Sequence, residues 1–157
     1  ALGIRATLGG VGFLPSRAWL GTDLLALRPD VKTVRDPYSD EELVAFPAIT
    51  CDVAVIHALV ADRFGNVRLN KNWAIDRELA FLAETVIVTA EEVVERLDDD
   101  VDIPAPFPTL VVPAPRGAWP TSCHPAYPVD GLEILRYTEA CAAGRFDEYL
   151  AEFLAAS

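Results

Sequence analysis

One run of residues limits what this chain can fold into. Cys51-Asp-Val-Ala-Val-Ile-His-Ala-Leu-Val-Ala-Asp-Arg-Phe-Gly-Asn66 begins as an apolar stretch and ends in a polar turn, and the chain resumes through Val67-Arg-Leu69. The apolar part, Val53 to Ala58, reads as a strand buried on both faces, as in a parallel sheet. Its carboxyl end delivers His57, Asp62 and Asn66, and open α/β sheets build their sites at such ends. His57 has two readings, a hydrogen-bonded core histidine or a base or ligand group. Asp62-Arg-Phe-Gly-Asn66 is a turn in which Gly65 or Asn66 can take positive φ.

The elements around this run have their own signals. Val31-Lys-Thr-Val34 and Glu42-Leu-Val-Ala-Phe46 read as strands joined by the turn Asp36-Pro-Tyr-Ser-Asp40, a plausible hairpin. Leu24 to Leu27 is a short helical or turn segment stopped by Pro29. Asn72 predicts an N-cap, and Ile75, Leu79 and Leu82 lie on one helical face. Thr85-Val-Ile-Val-Thr89 is a second buried strand. Thr89-Ala-Glu-Glu92 then has capping-box spacing, which predicts a helix over about 90–97 with Glu91 and Glu92 in its first turn.

Thr109 to Val112 is a third strand. Pro113 to Pro128 is too rich in proline for regular structure, and loops this long are often functional. Asp130-Gly-Leu-Glu133 opens a helix with Ile134, Tyr137 and Cys141 on one face, ended by Gly144. A last helix carries Phe146, Tyr149, Leu150, Phe153 and Leu154. Strands alternating with helices predict an α/β class with a mostly parallel sheet flanked by helices.

Composition narrows the function. The 157 residues make one domain's worth of chain, and 52% hydrophobic residues are ample for a core. A formal net charge of −11 argues against nucleic acid or an anionic membrane as partner. Arginines and lysines from Arg5 to Lys71 still leave room for a small anionic ligand. Cys51, Cys123 and Cys141 follow neither zinc nor redox spacing and read as free thiols, with a nucleophilic Cys123 beside His124 as the lesser alternative. The run Asp98-Asp99-Asp100 reads as a solvated loop, and no metal site is expected. No apolar run is long enough to span a membrane and no signal-peptide pattern is present, so a soluble cytoplasmic protein is expected. Residues 9–23, rich in glycine, are either a crossing loop or a ligand-facing loop with Arg17 and Thr22 as donors. The chain starts at Ala1 in what looks like the middle of a fold, so it is expected to be the carboxyl-terminal part of a longer polypeptide.

Several of these segments together resemble a family. Phe13-Leu-Pro-Ser-Arg17 with Leu20-Gly-Thr-Asp23, Asp52-Val-Ala-Val-Ile-His57 and Ala61-Asp-Arg-Phe-Gly-Asn66 are similar to blocks of family I coenzyme A transferases, the glutaconate type of alpha subunit. Val86-Ile-Val-Thr-Ala-Glu-Glu92 and Val112-Pro-Ala-Pro-Arg-Gly-Ala-Trp-Pro120, with Ser122, Cys123 and Tyr127, continue the resemblance in order. Trp119 stands where the family carries a histidine, which suggests an altered pocket.

The resemblance implies the coenzyme A transferase fold over a single domain, 1–157, lacking its amino-terminal part. It implies CoA transfer between a small or dicarboxylic acyl-CoA and a carboxylate. Decarboxylation, hydrolysis or C–C cleavage of an acyl-CoA on the same scaffold, or a non-catalytic scaffold role, are the alternatives. A homologous beta subunit would share the active site and supply the glutamate nucleophile, in a heterodimer, heterotetramer or larger assembly. Coenzyme A would arrive as part of the substrate, with no permanently bound cofactor. The implied substrate-binding residues are Phe13, Arg17, Gly21, Thr22, His57 and Asn66, with Arg17 a candidate carboxylate clamp.

Overall fold

The structure, a computed structural model, describes residues 1–156. Two sheets organise it. The first is antiparallel, with strands β1 (Phe13–Ser16), β2 (Lys32–Arg35) and β3 (Glu42–Pro47) in the order β1-β3-β2. β2 and β3 are the expected hairpin, with Arg35 opposite Glu42. β1 corrects the expectation of a continuous loop over residues 9–23: Phe13–Ser16 adds an edge strand along Val44–Pro47. A helix α1 (Leu2–Leu8), which no cap signals, precedes it, and a single turn α2 (Leu24–Leu27) follows.

The second sheet holds β4 (Val53–Asp62), β5 (Val67–Arg68), β6 (Thr85–Val94) and β7 (Leu110–Pro113), in the order β5-β4-β6-β7. β4, β6 and β7 run parallel, and β5 turns back antiparallel on β4, so the sheet is mixed. Helix α3 (Asp76–Leu82) crosses from β5 to β6, starting beyond Ile75 with no side-chain cap, rather than at Asn72. The core gathers on one face of this sheet. Ala54, Ile56 and Ala58 of β4 and Val86, Val88 and Ala90 of β6 pack with Leu69, Ala80 and Ile103.

Two sequence expectations fail here. The apolar run of β4 is not buried on both faces, since Val55 is 67% exposed while Ile56 is buried. The 90–97 helix does not form either, because β6 keeps its strand period from Thr85 through Glu91, alternating half-buried and buried residues. β6 pairs with β4 out to Asp62 against Val94, so long-range ladder bonds override a local capping pattern. Glu91 is thereby carried into the sheet face opposite the core, on the same side as Thr89.

The turn after β4 is fixed by Asp62, which is fully buried. Its Oδ1 accepts the Phe64 and Asn66 N–H groups and its Oδ2 accepts the Asn66 side-chain amide and the Leu97 N–H, each at 2.9–3.0 Å. Burial alone would raise the Asp62 carboxyl, but these four donors lower it to about 2. Helix α4 (Gly131–Ala142) starts as expected, with Asp130 accepting the Glu133 N–H at 3.1 Å, and Gly144 takes φ +69° beyond its end. α5 (Phe146–Ala156) packs on it through Tyr137, whose ring meets those of Phe146 and Tyr149. Among the described residues, no helix is long and apolar enough to cross a membrane.

Candidate functional site

The polar groups converge where the proline-rich segment folds over the non-core face of the second sheet. His57 on β4 stands opposite Thr89 on β6. Its Nδ1 lies 2.9 Å from the Thr89 hydroxyl and its Nε2 lies 2.7 Å from Glu91 Oε1. The His57 and Glu91 side chains are only 16% and 14% exposed. The loop closes the rest. Tyr127 donates its hydroxyl to Glu91 Oε1 at 2.6 Å, and the Arg116 backbone N–H donates to Oε2 at 2.6 Å. The Ala118 N–H donates to the Tyr127 oxygen at 3.0 Å, so loop and strands share one network.

Gly117 is required at this crossing. A Cβ there would sit 2.8 Å from the Ala114 carbonyl and 2.9 Å from His57 Cε1, too close for any other residue without a shift. Cys123, within the loop, is fully buried, and its backbone exchanges two hydrogen bonds with Tyr127.

These contacts set the electrostatics. Burial pushes the Glu91 carboxyl up, but the Tyr127 hydroxyl, the Arg116 N–H and the His57 ring outweigh it and hold Glu91 below the usual carboxylate range. The same burial and the bond to Glu91 push Tyr127 up to about 12. Burial, then the charge of Glu91, pushes the Cys123 thiol up, which keeps it protonated and a poor nucleophile. His57, Glu91 and Cys123 bring ligand-type atoms within 4.8 Å of one another. With three donors already on the carboxylate and the thiol neutral, the grouping is chemically a hydrogen-bonded hub.

The six residues expected to bind substrate fall into two places. Phe13, Arg17, Gly21 and Thr22 belong to the antiparallel sheet and the loop after its edge strand. Phe13 is 43% exposed, beside a hollow of about 230 Å³ under the hairpin turn. Arg17 is paired with Glu41, and Thr22 donates its hydroxyl to the Trp19 carbonyl at 2.9 Å. Gly21 has φ +72°, and Trp19, at φ +73°, packs edge-on against Phe46. His57 and Asn66 lie on the other sheet. The Asn66 amide is engaged at both ends, donating to Asp62 and accepting the Ala105 N–H at 3.1 Å. Among the described residues, no hydrogen bond links these two to the first four. Glu91, Arg116 and Tyr127 were not among the expected site residues. The signal for Glu91 was its parity with Thr85, Ile87 and Thr89, readable once the strand period runs past Thr89.

No protein-family model matches the chain. It is 36% identical over 134 residues to the A-type (alpha) subunit of the 3-oxoadipate CoA-transferase of Pseudomonas knackmussii, covering 80% of this chain and 45% of that protein. A crystal structure of a variant of the decarboxylase AibA/AibB superposes with TM-score 0.86 at 33% identity, covering 98% of this chain and 58% of the other. Glutaconate coenzyme A-transferase of Acidaminococcus fermentans superposes with TM-score 0.75 at 28% identity, covering 95% and 58%. The fold is that of the coenzyme A transferases. Within that class the chain is a homologue of the alpha subunits of the 3-oxoadipate and glutaconate enzymes, and it spans about half the length of these relatives.

Proposed function

We propose that this chain forms part of the alpha subunit of a heteromeric acyl-CoA enzyme that transfers CoA between a small or dicarboxylic acyl-CoA and a carboxylate. The observation that carries the reading is the likeness to transferase alpha-subunit sequences and to a transferase structure over 80–95% of the chain. The single-domain boundary 1–157, with an amino-terminal part outside it, belongs to the same proposal, since the relatives are about twice as long.

In the proposed reaction the thioester carbonyl is attacked by a glutamate of a homologous beta subunit. The CoA thiolate leaves and an acyl anhydride forms. The thiolate then attacks the glutamyl carbonyl and releases the first carboxylate. The resulting glutamyl-CoA thioester passes CoA to the second carboxylate by the reverse sequence. Covalent catalysis divides one difficult exchange into easier steps. This chain contributes walls. Phe13, Arg17, Gly21 and Thr22 bound one side, with Arg17 exchanging Glu41 for a substrate carboxylate. His57 and Asn66, whose polar atoms are engaged within the chain, support the other side, His57 by holding the Thr89 and Glu91 side chains and Asn66 by holding Asp62 and the Ala105 N–H.

A second reading, acyl-CoA decarboxylation, is favoured by the match to the decarboxylase AibA/AibB. One assay separates them. The purified complex is given an acyl-CoA and an isotope-labelled acceptor carboxylate. Label in the CoA ester supports transfer, whereas carbon dioxide release without label exchange supports decarboxylation.

A further inference from the structure

Eight of the eleven arginines are paired with a carboxylate: Arg5, Arg17, Arg28, Arg35, Arg63, Arg68, Arg96 and Arg136. In a chain of net charge −11, acid partners are abundant. Arg116 is one of the three without an ion pair among the described residues, and it is held in an unusual way.

Its backbone has φ +59°, a left-handed conformation costly for a side chain of this size. Two contacts hold it there. The N–H is fixed by Glu91 Oε2 at 2.6 Å. The guanidinium lies 5.8 Å from the Trp119 ring centre and 5.5 Å from that of Tyr127. Trp119 is itself stacked on Phe153, with ring centres 5.2 Å apart and planes within 5°. The nearest acid along the loop, Asp130, already accepts the Glu133 N–H at 3.1 Å and the Trp119 indole N–H at 3.3 Å. Arg116 lines a cleft of about 560 Å³ between the proline-rich loop and the start of α4. That is the size range of small-molecule sites. A guanidinium clamped over two rings, which feels the charge of Asp130 but makes no ion pair with it, has lost rotamer freedom before any ligand arrives and is set to bind an oxyanion in two-point fashion.

We propose that this cleft is a ligand site which takes an oxyanion group, carboxylate or phosphate, on Arg116, and that Glu91 is its positioning residue. The inference rests on the acyl-CoA reading for the identity of the ligand. A phosphate would come from coenzyme A and a carboxylate from the acyl or acceptor acid. Glu91 touches neither. It holds the Arg116 amide and the Tyr127 hydroxyl, so the strained backbone and both members of the cation–ring contact stay in place.

The test is calorimetric titration of the chain, co-purified with its partner subunit, using coenzyme A in one arm and glutarate in the other. Arg116→Ala is expected to weaken one ligand by tenfold or more and leave the other within twofold, which identifies the source of the oxyanion. Arg145→Ala, an unpaired arginine outside the cleft, is expected to change neither. Glu91→Gln is expected to weaken the same ligand as Arg116→Ala and to speed hydrogen exchange at the Arg116 amide at least tenfold. Wild-type affinities in Arg116→Ala would overturn the site. Faster amide exchange in Glu91→Gln with no loss of affinity would overturn the positioning role. A wild-type complex that binds neither ligand would overturn the acyl-CoA reading together with this site.

Discussion

The Tyr127 hydroxyl reaches across 36 residues of sequence to donate to Glu91 Oε1 at 2.6 Å. This bond ties the proline-rich loop to a strand of the central sheet, and the same carboxylate holds His57 from the neighbouring strand at 2.7 Å. The oxygen of Tyr127 also accepts the Ala118 N–H, so one phenol satisfies the loop and the sheet together.

Tyr127→Phe removes both bonds and leaves the Ala118 N–H without its acceptor. The expected cost is roughly 1–3 kcal/mol of unfolding free energy, read by urea denaturation. An alkaline spectrophotometric titration should show a tyrosine ionising near pH 12 in the wild type, and that step should be missing in the variant. The sign follows from the raised value. The folded state favours the protonated phenol, so its contribution is present below the unfolded value near 10 and is lost as pH rises through about 12. Equal stability and an unchanged titration would dissociate Tyr127 from the hub.

Gly117→Ala places a methyl group against the His57 ring and the Ala114 carbonyl. Overpacking of this kind costs about 1–3 kcal/mol. The loop should also lift, seen as faster hydrogen exchange at Arg116 and Ala118. An alanine variant with wild-type melting temperature and exchange would show that the loop does not lie on His57.

Asp62→Ala leaves four donors unsatisfied in a buried turn, and the expected loss is ~2–5 kcal/mol, measured by chemical denaturation. The wild-type protein should also show an acid limb. The depressed Asp62 value means its contribution is present above about 3.8 and is lost as pH falls through about 2. Glu91, held below the usual range, acts in the same direction. A wild type whose stability stays flat from about pH 5 to about pH 2 would contradict this reading of Asp62.

Much of the framework was legible from residue pattern alone. The hairpin around Asp36–Asp40 appeared where turn chemistry placed it, and Asp130 caps α4 as the spacing implied. Local signals failed where long-range pairing decided. Thr89 to Glu92 carries a helix-start pattern, yet nine residue pairs join β6 to β4, three of them within this segment, and hold it as strand. The hub was illegible for the same reason. Its members, His57, Thr89, Glu91, Arg116 and Tyr127, come from three separate segments, and only the parallel register and the path of an irregular loop bring them together. The edge strand Phe13–Ser16 was hidden because Pro15 and the flanking glycines look like loop, although an edge tolerates proline.

Arg17→Ala should raise the KM for a carboxylate substrate about tenfold or more, the worth of a lost charge-assisted contact, with a smaller effect on kcat. Glu41→Ala should leave that KM unchanged or lower it, because Arg17 would no longer have to leave Glu41. Steady-state kinetics with both variants decides the matter, and unchanged parameters in Arg17→Ala would remove Arg17 from the pocket.

In the proposed function this chain walls a site whose covalent chemistry belongs to a partner. Mass spectrometry of the co-purified complex, quenched during turnover with acyl-CoA, tests it most directly. A coenzyme A adduct is expected on a glutamate of the partner subunit, with this chain unmodified. Turnover with no adduct on the partner, or an adduct on Glu91 of this chain, would contradict it.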